Sequence, residues 1–437
     1  MMKTRNFYIE TFGCQMNVHD SEKLHGLFVK DGWQSVTDPE QADVIVLNTC
    51  SVREKAEQKV FSRFGRLVRL KRKKPDLVLI LSGCMAQAWG ARLSDRMPFL
   101  DMIVGPGAYW HIPDFLKSYA KHTPNIIAIP EPDEIFTLSP DDLPLSETCS
   151  AWITIMEGCN NFCSYCVVPY VRGRERSRPS EEIISEIQSL VRKGIKEITL
   201  LGQNVNSFKG CPGGFPELLY QLNRIDGLHR IRFTTSHPKD VSKELIHALA
   251  ELPKICEYLH FPAQSGSSKI LSRMRRGYSR EEYLEKVAMI RDAVPEIALS
   301  TDVIVGFPGE KEDDFLQTMS LLEDVRYDNV FAFIYSIRKG TKASAFDDDV
   351  PREVKSKRLE MLIHRQRQIS LDINRTGIGK TLEVLVSGPA KRGDGKMQGR
   401  TRHNRIVNFK GEYRAGDLVH IRIESASPNC LYGKIAD

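Results

Sequence analysis

The chain has 437 residues, with 62 Lys and Arg against 56 Asp and Glu, for a formal net charge of +6. Hydrophobic residues make up 41% and charged residues 27%, an ordinary globular composition at a length that suggests roughly two to four domains. No apolar run is long enough for a membrane-spanning helix and no signal-peptide pattern opens the chain, so its ten cysteines are expected in a reducing cytoplasm, where metal or redox chemistry is the default over disulfides.

The first 120 residues alternate strand and helix signals. Residues 6–11, 43–49 and 77–82 are short apolar or β-branched runs, and helical spacing follows each, over about 19–30, 52–70 and 87–97. Such alternation predicts a parallel α/β sheet, whose ligands gather beyond the carboxyl ends of the strands. A cysteine follows each run: Cys14, Cys50 and Cys84, separated by about one βα unit. Three thiols are therefore expected on one sheet edge. Within the second helix, residues 63–74 carry seven bases and no acid, which suits either a solvated helix end or a polyanion partner.

Residues 121–148 read as a linker. Six acids and no base lie between 131 and 147, among Pro130, Pro132, Pro140 and Pro144. A second alternating series follows over 149–375. Its candidate strands are 152–156, 197–201, 230–234, 258–261, 298–305 and 330–335, which suit a partial, open (βα)6 barrel. Ser180 is the expected N-cap of one helix and Gly194 its stop, Ser279 to Glu282 forms a capping box for another, and a long polar helix over 352–375 leads out. Residues 376–437 read as five short strands of a small β-barrel of the oligonucleotide-binding kind, with eight bases against two acids over 391–414.

The most specific signal is Cys159-Asn160-Asn161-Phe162-Cys163-Ser164-Tyr165-Cys166, directly after the first barrel strand. Three thiolates at this spacing can wrap a cubane cluster and leave its fourth iron without a protein ligand. A zinc site would want a fourth Cys or His, and the next 30 residues supply neither. Cys149, Cys211, Cys256 and Cys430 match no ligand pattern and read as packing residues. Gly377-Ile378-Gly379-Lys380-Thr381 lacks the first glycine of a phosphate-binding loop and the strand–loop–helix order it needs.

The cysteine spacing followed by a barrel pattern resembles the radical S-adenosylmethionine (SAM) superfamily. The resemblance sharpens with Gly158–Gly173, LLGQNVNS at 200–207, TSHP at 235–238, QSGS at 264–267, MRRGY at 274–278, DVIVGFPGE at 302–310 and GRTRHNRIVNF at 399–409. Together with Cys14, Cys50 and Cys84 these look like the methylthiotransferase family, over essentially the whole chain. One small departure is Lys342, where the family commonly has Pro.

The resemblance implies an N-terminal methylthiotransferase domain (1–120), the radical SAM domain (149–375) and a C-terminal TRAM domain (376–437). It implies two [4Fe–4S] clusters as cofactors, one on Cys159, Cys163 and Cys166 with SAM on its open iron, the other on Cys14, Cys50 and Cys84, where sulfur is handled. Tyr165 would lie against the adenine of SAM, with Gln203, Gln264, Ser265 and Asp302 as further cofactor contacts. Arg400, Arg402 and Arg405 would hold RNA. The implied activity is methylthiolation of carbon 2 of N6-dimethylallyl-adenosine beside the tRNA anticodon. An electron donor such as flavodoxin or ferredoxin and a sulfur donor would be partners. Methylthiolation of threonylcarbamoyl-adenosine or of a ribosomal protein is the alternative within the family, and a non-catalytic iron–sulfur RNA-binding regulator the alternative outside it.

Overall fold

Parallel pairing organises the first part of the chain. The computed structural model describes residues 5–51, 54–119, 125–144, 149–390 and 395–436, without the side chains of 54–56. The predicted helix start at Val52, the Glu147 end of the acidic stretch and the bases Lys391 and Arg392 lie outside these residues. The chain forms two units, each described by itself. One takes residues 1–146, 156–162 and 166–176; the other takes 147–155, 163–165 and 177–437.

The N-terminal unit is built on a six-stranded parallel sheet. Its order is Gln34–Ser35, Asn6–Phe12, Val44–Thr49, Val78–Gly83, Met102–Val104 and Ile126–Ala128. The middle strand Val44–Thr49 is buried along its whole length, as strands covered on both faces should be. Alternate residues feed two separate cores. Ile45 and Leu47 pack with Val60, Phe64 and Leu67 on one face, while Val44 and Val46 pack with Leu24 and Phe28 on the other. The predicted single helix over 87–97 is two, Cys84–Trp89 and Arg92–Arg96, because Gly90 turns at φ +56° between them. The acidic stretch is packed against this unit. Ile126–Ala128 is the sixth strand, Phe136 stacks on Trp110 at 5.2 Å, and Lys23 donates to the Phe136 carbonyl at 2.8 Å.

In the larger unit the six expected barrel strands form two parallel half-sheets. Ser150–Thr154, Glu197–Leu201 and Arg230–Phe233 make one; Tyr258–His260, Ala298–Val305 and Asn329–Ile334 make the other. A lone parallel bridge, Ile231 to Ile255, connects them. The helix expected to be capped by Ser180 instead begins there, with Pro179 already extended at the cap and the Ser180 N–H taken by the Gly210 carbonyl at 3.1 Å. Gly194, at φ +95°, ends it as expected. The capping box at Ser279 and Glu282 and the helix Arg352–Arg375 form as read.

The last five strands close into a barrel in the order Thr381–Pro389, Lys396–Thr401, Ile406–Lys410, Leu431–Ile435 and Leu418–Ala426. Bulges at Val386/Gly388 and Ile423/Ser425 supply the curvature that closure needs. Arginines fasten this barrel to the half-sheets. Arg230 and Arg232, both buried, donate to the carbonyls of Arg400, Thr401 and Arg402 at 2.8 Å each. Arg402 grips Glu257 through two bonds of 2.8 and 2.7 Å, and Arg405 reaches Asp328 at 2.7 Å. Burial pushes the Glu257 carboxyl up, but the Arg402 guanidinium outweighs it and holds the group below its usual range. Removing one partner of such a charge-assisted pair costs about 1–3 kcal/mol. Arg402→Ala is therefore expected to speed amide exchange in Lys396–Thr401 by about tenfold or more, each 1.4 kcal/mol being tenfold. Unchanged exchange would show that the clasp is idle.

His237 opens a short 3-10 turn, Pro238–Asp240, and its Nδ1 accepts the Lys239 N–H at 3.3 Å. The proton then sits on Nε2, which finds no hydrogen-bond partner among the described residues. Burial, helped by Arg276, pushes this histidine down to about 2. A folded-state value below the unfolded one contributes stability above pH 6.5 that is lost as pH falls toward 2. The slope is about 1.4 kcal/mol per pH unit, or about 2 kcal/mol by pH 5. His237→Gln should flatten that acid limb in urea unfolding, and an unchanged limb would refute the neutral, buried assignment.

Candidate cluster-binding sites

The cysteine convergence in the N-terminal unit follows from sheet register. Phe12 pairs with Thr49, and Thr49 with Gly83, so three neighbouring strands end level. Cys50 and Cys84 are the next residues of their strands, and Cys14 follows one residue later as the N-cap of the helix Gln15–Lys30. The turns are locked. Asn17 Nδ2 donates to Asn48 Oδ1 and to the Thr49 carbonyl, both at 3.3 Å, and Asn48 Nδ2 returns a bond to the Asn17 carbonyl at 2.8 Å. Gly83, at φ +92°, leaves no room for a side chain: a Cβ there would stand 2.5 Å from both Asn48 Oδ1 and the Thr49 carbonyl.

Electrostatics prepares these thiols. A hydrogen bond from Cys50, then the backbone N–H groups of the following helix and the charge of Arg172, hold the Cys14 thiol well below its ordinary range despite burial. Burial pushes the Cys84 thiol up, against the pull of Arg172. Arg172 itself is buried. Its Nε donates to Cys84 Sγ at 3.4 Å, its Nη2 bonds Asp20, and its Nη1 lies 3.6 Å from Glu157.

In the second set, the Cys159 N–H donates to the Gly173 carbonyl at 3.2 Å, and Phe162 turns the loop at φ +47°. Cys159 and Cys166 lie in segments of the N-terminal unit. Cys163 and Tyr165 belong to the larger unit, where Ser164 is tied to Met274, Arg273 and Ala343 by bonds of 2.9, 2.8 and 2.7 Å. Arg276, buried, donates to Cys163 Sγ and to Tyr165 Oη at 3.4 Å each, to Tyr278 Oη at 2.9 Å, and to the Pro262 carbonyl at 2.9 Å.

The other expected SAM contacts are less uniform. Gln203 lies two residues after Leu201, beyond its strand end and half-buried. Gln264 is held at φ +72° between the Asp302 carbonyl and the Ile304 N–H, a costly conformation for a side-chain-bearing residue. Ser265 is buried and spends its hydroxyl on the Ser267 N–H at 3.2 Å. Asp302, half-buried in its strand, lies 3.3 Å from His260 Nε2. The three TRAM arginines are engaged within the chain: Arg402 and Arg405 as above, and Arg400 with Asn404 at 3.1 Å. Arg172 and Arg276 escaped the sequence reading, although both stand in quoted runs, because nothing in sequence tells a thiol-facing arginine from an exposed one.

Whether this donor set suits iron–sulfur clusters can be tested on the side chains. Among the described residues no three Cys, His, Asp or Glu side chains come together as ligands of one metal ion. A cubane asks for something else, one thiolate on each of three irons. Cys50 hydrogen-bonds the Cys14 thiol, and the Arg172 Nε donates to Cys84 Sγ at 3.4 Å, a sulfur-directed donor of the kind such clusters take. The residues fit the group.

Residues 6–105 match the uncharacterized protein family UPF0004, residues 153–322 the radical SAM superfamily, and residues 375–436 the TRAM domain. The radical SAM methyltransferase TsrM of Kitasatospora setae has a similar fold, with TM-score 0.57 at 14% identity over 78% of this chain and 77% of that one. The tRNA-2-methylthio-N(6)-dimethylallyladenosine synthase of Clostridium botulinum is 48% identical over 98% of this chain and 96% of its own length. That of Syntrophotalea carbinolica is 45% identical over 98% and 99%. At this identity along nearly the full length, the chain belongs to the tRNA-2-methylthio-N(6)-dimethylallyladenosine synthase family.

Proposed function

We propose that this chain is a radical SAM methylthiotransferase that places a methylthio group on carbon 2 of N6-dimethylallyl-adenosine next to the tRNA anticodon. The observation that carries the reading is the pair of cysteine sets, Cys14, Cys50 and Cys84 on level strand ends, and Cys159, Cys163 and Cys166 on the first barrel loop. Each would hold a [4Fe–4S] cluster. The clusters and SAM, when bound, supply the radical and sulfur chemistry that a strong aromatic C–H bond demands and acid–base groups cannot.

The protein's own part is to hold, orient and shield. The acidified Cys14 thiol is ready to ligate without a large proton cost. Arg276 fixes Cys163 and Tyr165 against one another, so the aromatic proposed to lie on the adenine is placed by the residue that touches the ligand thiol. Gln203 and Gln264 stand beyond strand ends and Asp302 within its strand, and SAM would be gripped from these positions. Burial of Cys50, Cys84, Cys159 and Cys163 keeps water from the sulfurs.

RNA would be met by the C-terminal barrel, and its face is better drawn from exposed bases than from Arg400, Arg402 and Arg405. Lys410, Arg414, Arg422 and Lys434 are exposed. Pairing sets Lys396 opposite Lys410 and Tyr432 opposite Asn408, with Lys396 5.8 Å from the exposed Tyr432 ring, so an aromatic sits among cations. That combination suits single-stranded RNA. An electron donor such as flavodoxin or ferredoxin and a sulfur donor complete the requirements.

Three outcomes follow. Cys50→Ala should leave about four irons per chain and SAM cleavage intact, read as 5′-deoxyadenosine, while methylthiolation of tRNA disappears. Loss of both activities in a folded protein would refute separate roles. Lys410→Ala should reduce the slope of log affinity against log salt by about 0.7 for a single-stranded contact. Mass spectrometry of tRNA nucleosides from cells lacking the gene should show loss of the dimethylallyl methylthio-nucleoside. Loss of the threonylcarbamoyl one instead would move the substrate within the family.

A further inference from the structure

Arg172 lies at the end of the segment that carries the second cysteine set, yet its side chain serves the first. It follows Cys166 by one short helix, Val168–Val171. Val167 and Val171 of that segment pack on Cys84, and the Arg172 Nε donates to Cys84 Sγ at 3.4 Å. Asp20 takes a hydrogen bond from its Nη2, and Glu157 lies 3.6 Å from its Nη1, beyond hydrogen-bond distance. Around it, Lys23, Arg172 and Arg176 face Asp20 and Glu157, with Asp133 acting on Arg176, Glu22 on Lys23 and the Cys14 thiol on Arg172.

A buried guanidinium is costly unless anions meet it, and an anionic cluster beside Cys84 would add to those already there. Three thiolates on a doubly positive four-iron core leave one net negative charge, and a second after reduction. We propose that Arg172 is a positioning residue for the cluster on Cys14, Cys50 and Cys84: it donates to the ligand sulfur of Cys84, complements the cluster's charge and favours its reduced state. Because Arg172 follows Cys166 through one short helix of the same stretch of chain, it also ties the seating of Cys166 to the other cluster. Hydrogen bonds to sulfur and net charge are recognised levers on cluster potential. The inference rests on the two-cluster reading above.

The test uses the full chain with Cys159, Cys163 and Cys166 replaced by Ala, so that one cluster remains. Arg172→Gln and Arg172→Lys are then compared with that parent by iron count, circular dichroism and electron paramagnetic resonance during redox titration. The parent is expected to hold about four irons per chain. Arg172→Gln should lower the reduced-to-oxidised ratio about tenfold at a fixed poise, which is 59 mV for one electron. Arg172→Lys, which keeps the charge but loses the planar donors, should fall between. Should Arg172→Gln lose iron while Arg172→Lys keeps it, the cation is required for retention, and the proposal stands. Identical titrations for parent and Arg172→Gln, or equal iron loss in both variants, would overturn it. A parent that takes up no iron with Arg172 intact would overturn the reading of the cysteine set, and the proposal with it.

Discussion

Level register between parallel strands is the constraint on which the N-terminal unit depends. In a parallel ladder a strand cannot slip by one residue without turning its whole apolar set to the other face. Here both faces are buried, so a slip of Val44–Thr49 would exchange Ile45 and Leu47 with Val44 and Val46 between two differently shaped cores. The apolar packing thus fixes the heights at which Phe12, Thr49 and Gly83 end, and with them the thiols that follow. The chemistry at the strand ends is set by hydrophobic residues that never touch it.

The same economy governs charge. Burying a guanidinium is expensive, and a protein keeps one inside only where anions meet it. Arg230 and Arg232 answer that demand with carbonyls and with Glu197 and Glu383, and the result is a seam between the half-sheets and the closing barrel. Arg172 and Arg276 answer it only partly with carboxylates, carbonyls and phenols, and each turns an N–H toward a cysteine sulfur. The contrast separates arginines satisfied by carboxylates and carbonyls from those that also face a cysteine sulfur. It also explains why the TRAM arginines read as RNA contacts are spent on Glu257, Asp328 and Asn404: a basic run in sequence cannot show which of its charges face inward.

Periodicity made most of the fold legible. The strands at Glu197–Leu201 and Ala298–Val305, the helix Arg352–Arg375 and the capping box at Ser279 and Glu282 all have local causes that a single stretch of sequence contains. What escaped reading depends on distant partners. Ser180 lost its cap role because Pro179 is already extended and Gly210 satisfies the next N–H. The acidic stretch read as a linker because its prolines and charges are visible, whereas the Trp110 ring that receives Phe136 lies 26 residues away in sequence. The cysteines stood out in sequence because spacing is a local property, and the arginines that face them did not, because orientation is a tertiary one.

The split of roles within one short segment has a mechanical consequence. Gly158 to Gly173 contains three cysteines, the Cys159 anchor to Gly173, and the guanidinium that meets Cys84. A segment that contributes to both cysteine sets is ordered by whichever is filled, since binding anything to the folded state stabilises it. A cluster on Cys14, Cys50 and Cys84 would give the Arg172 Nε–H a charged sulfur to meet at Cys84, and Arg172 directly follows the helix Val168–Val171. One continuous stretch of backbone thus carries both the thiol of Cys166 and the guanidinium that meets Cys84.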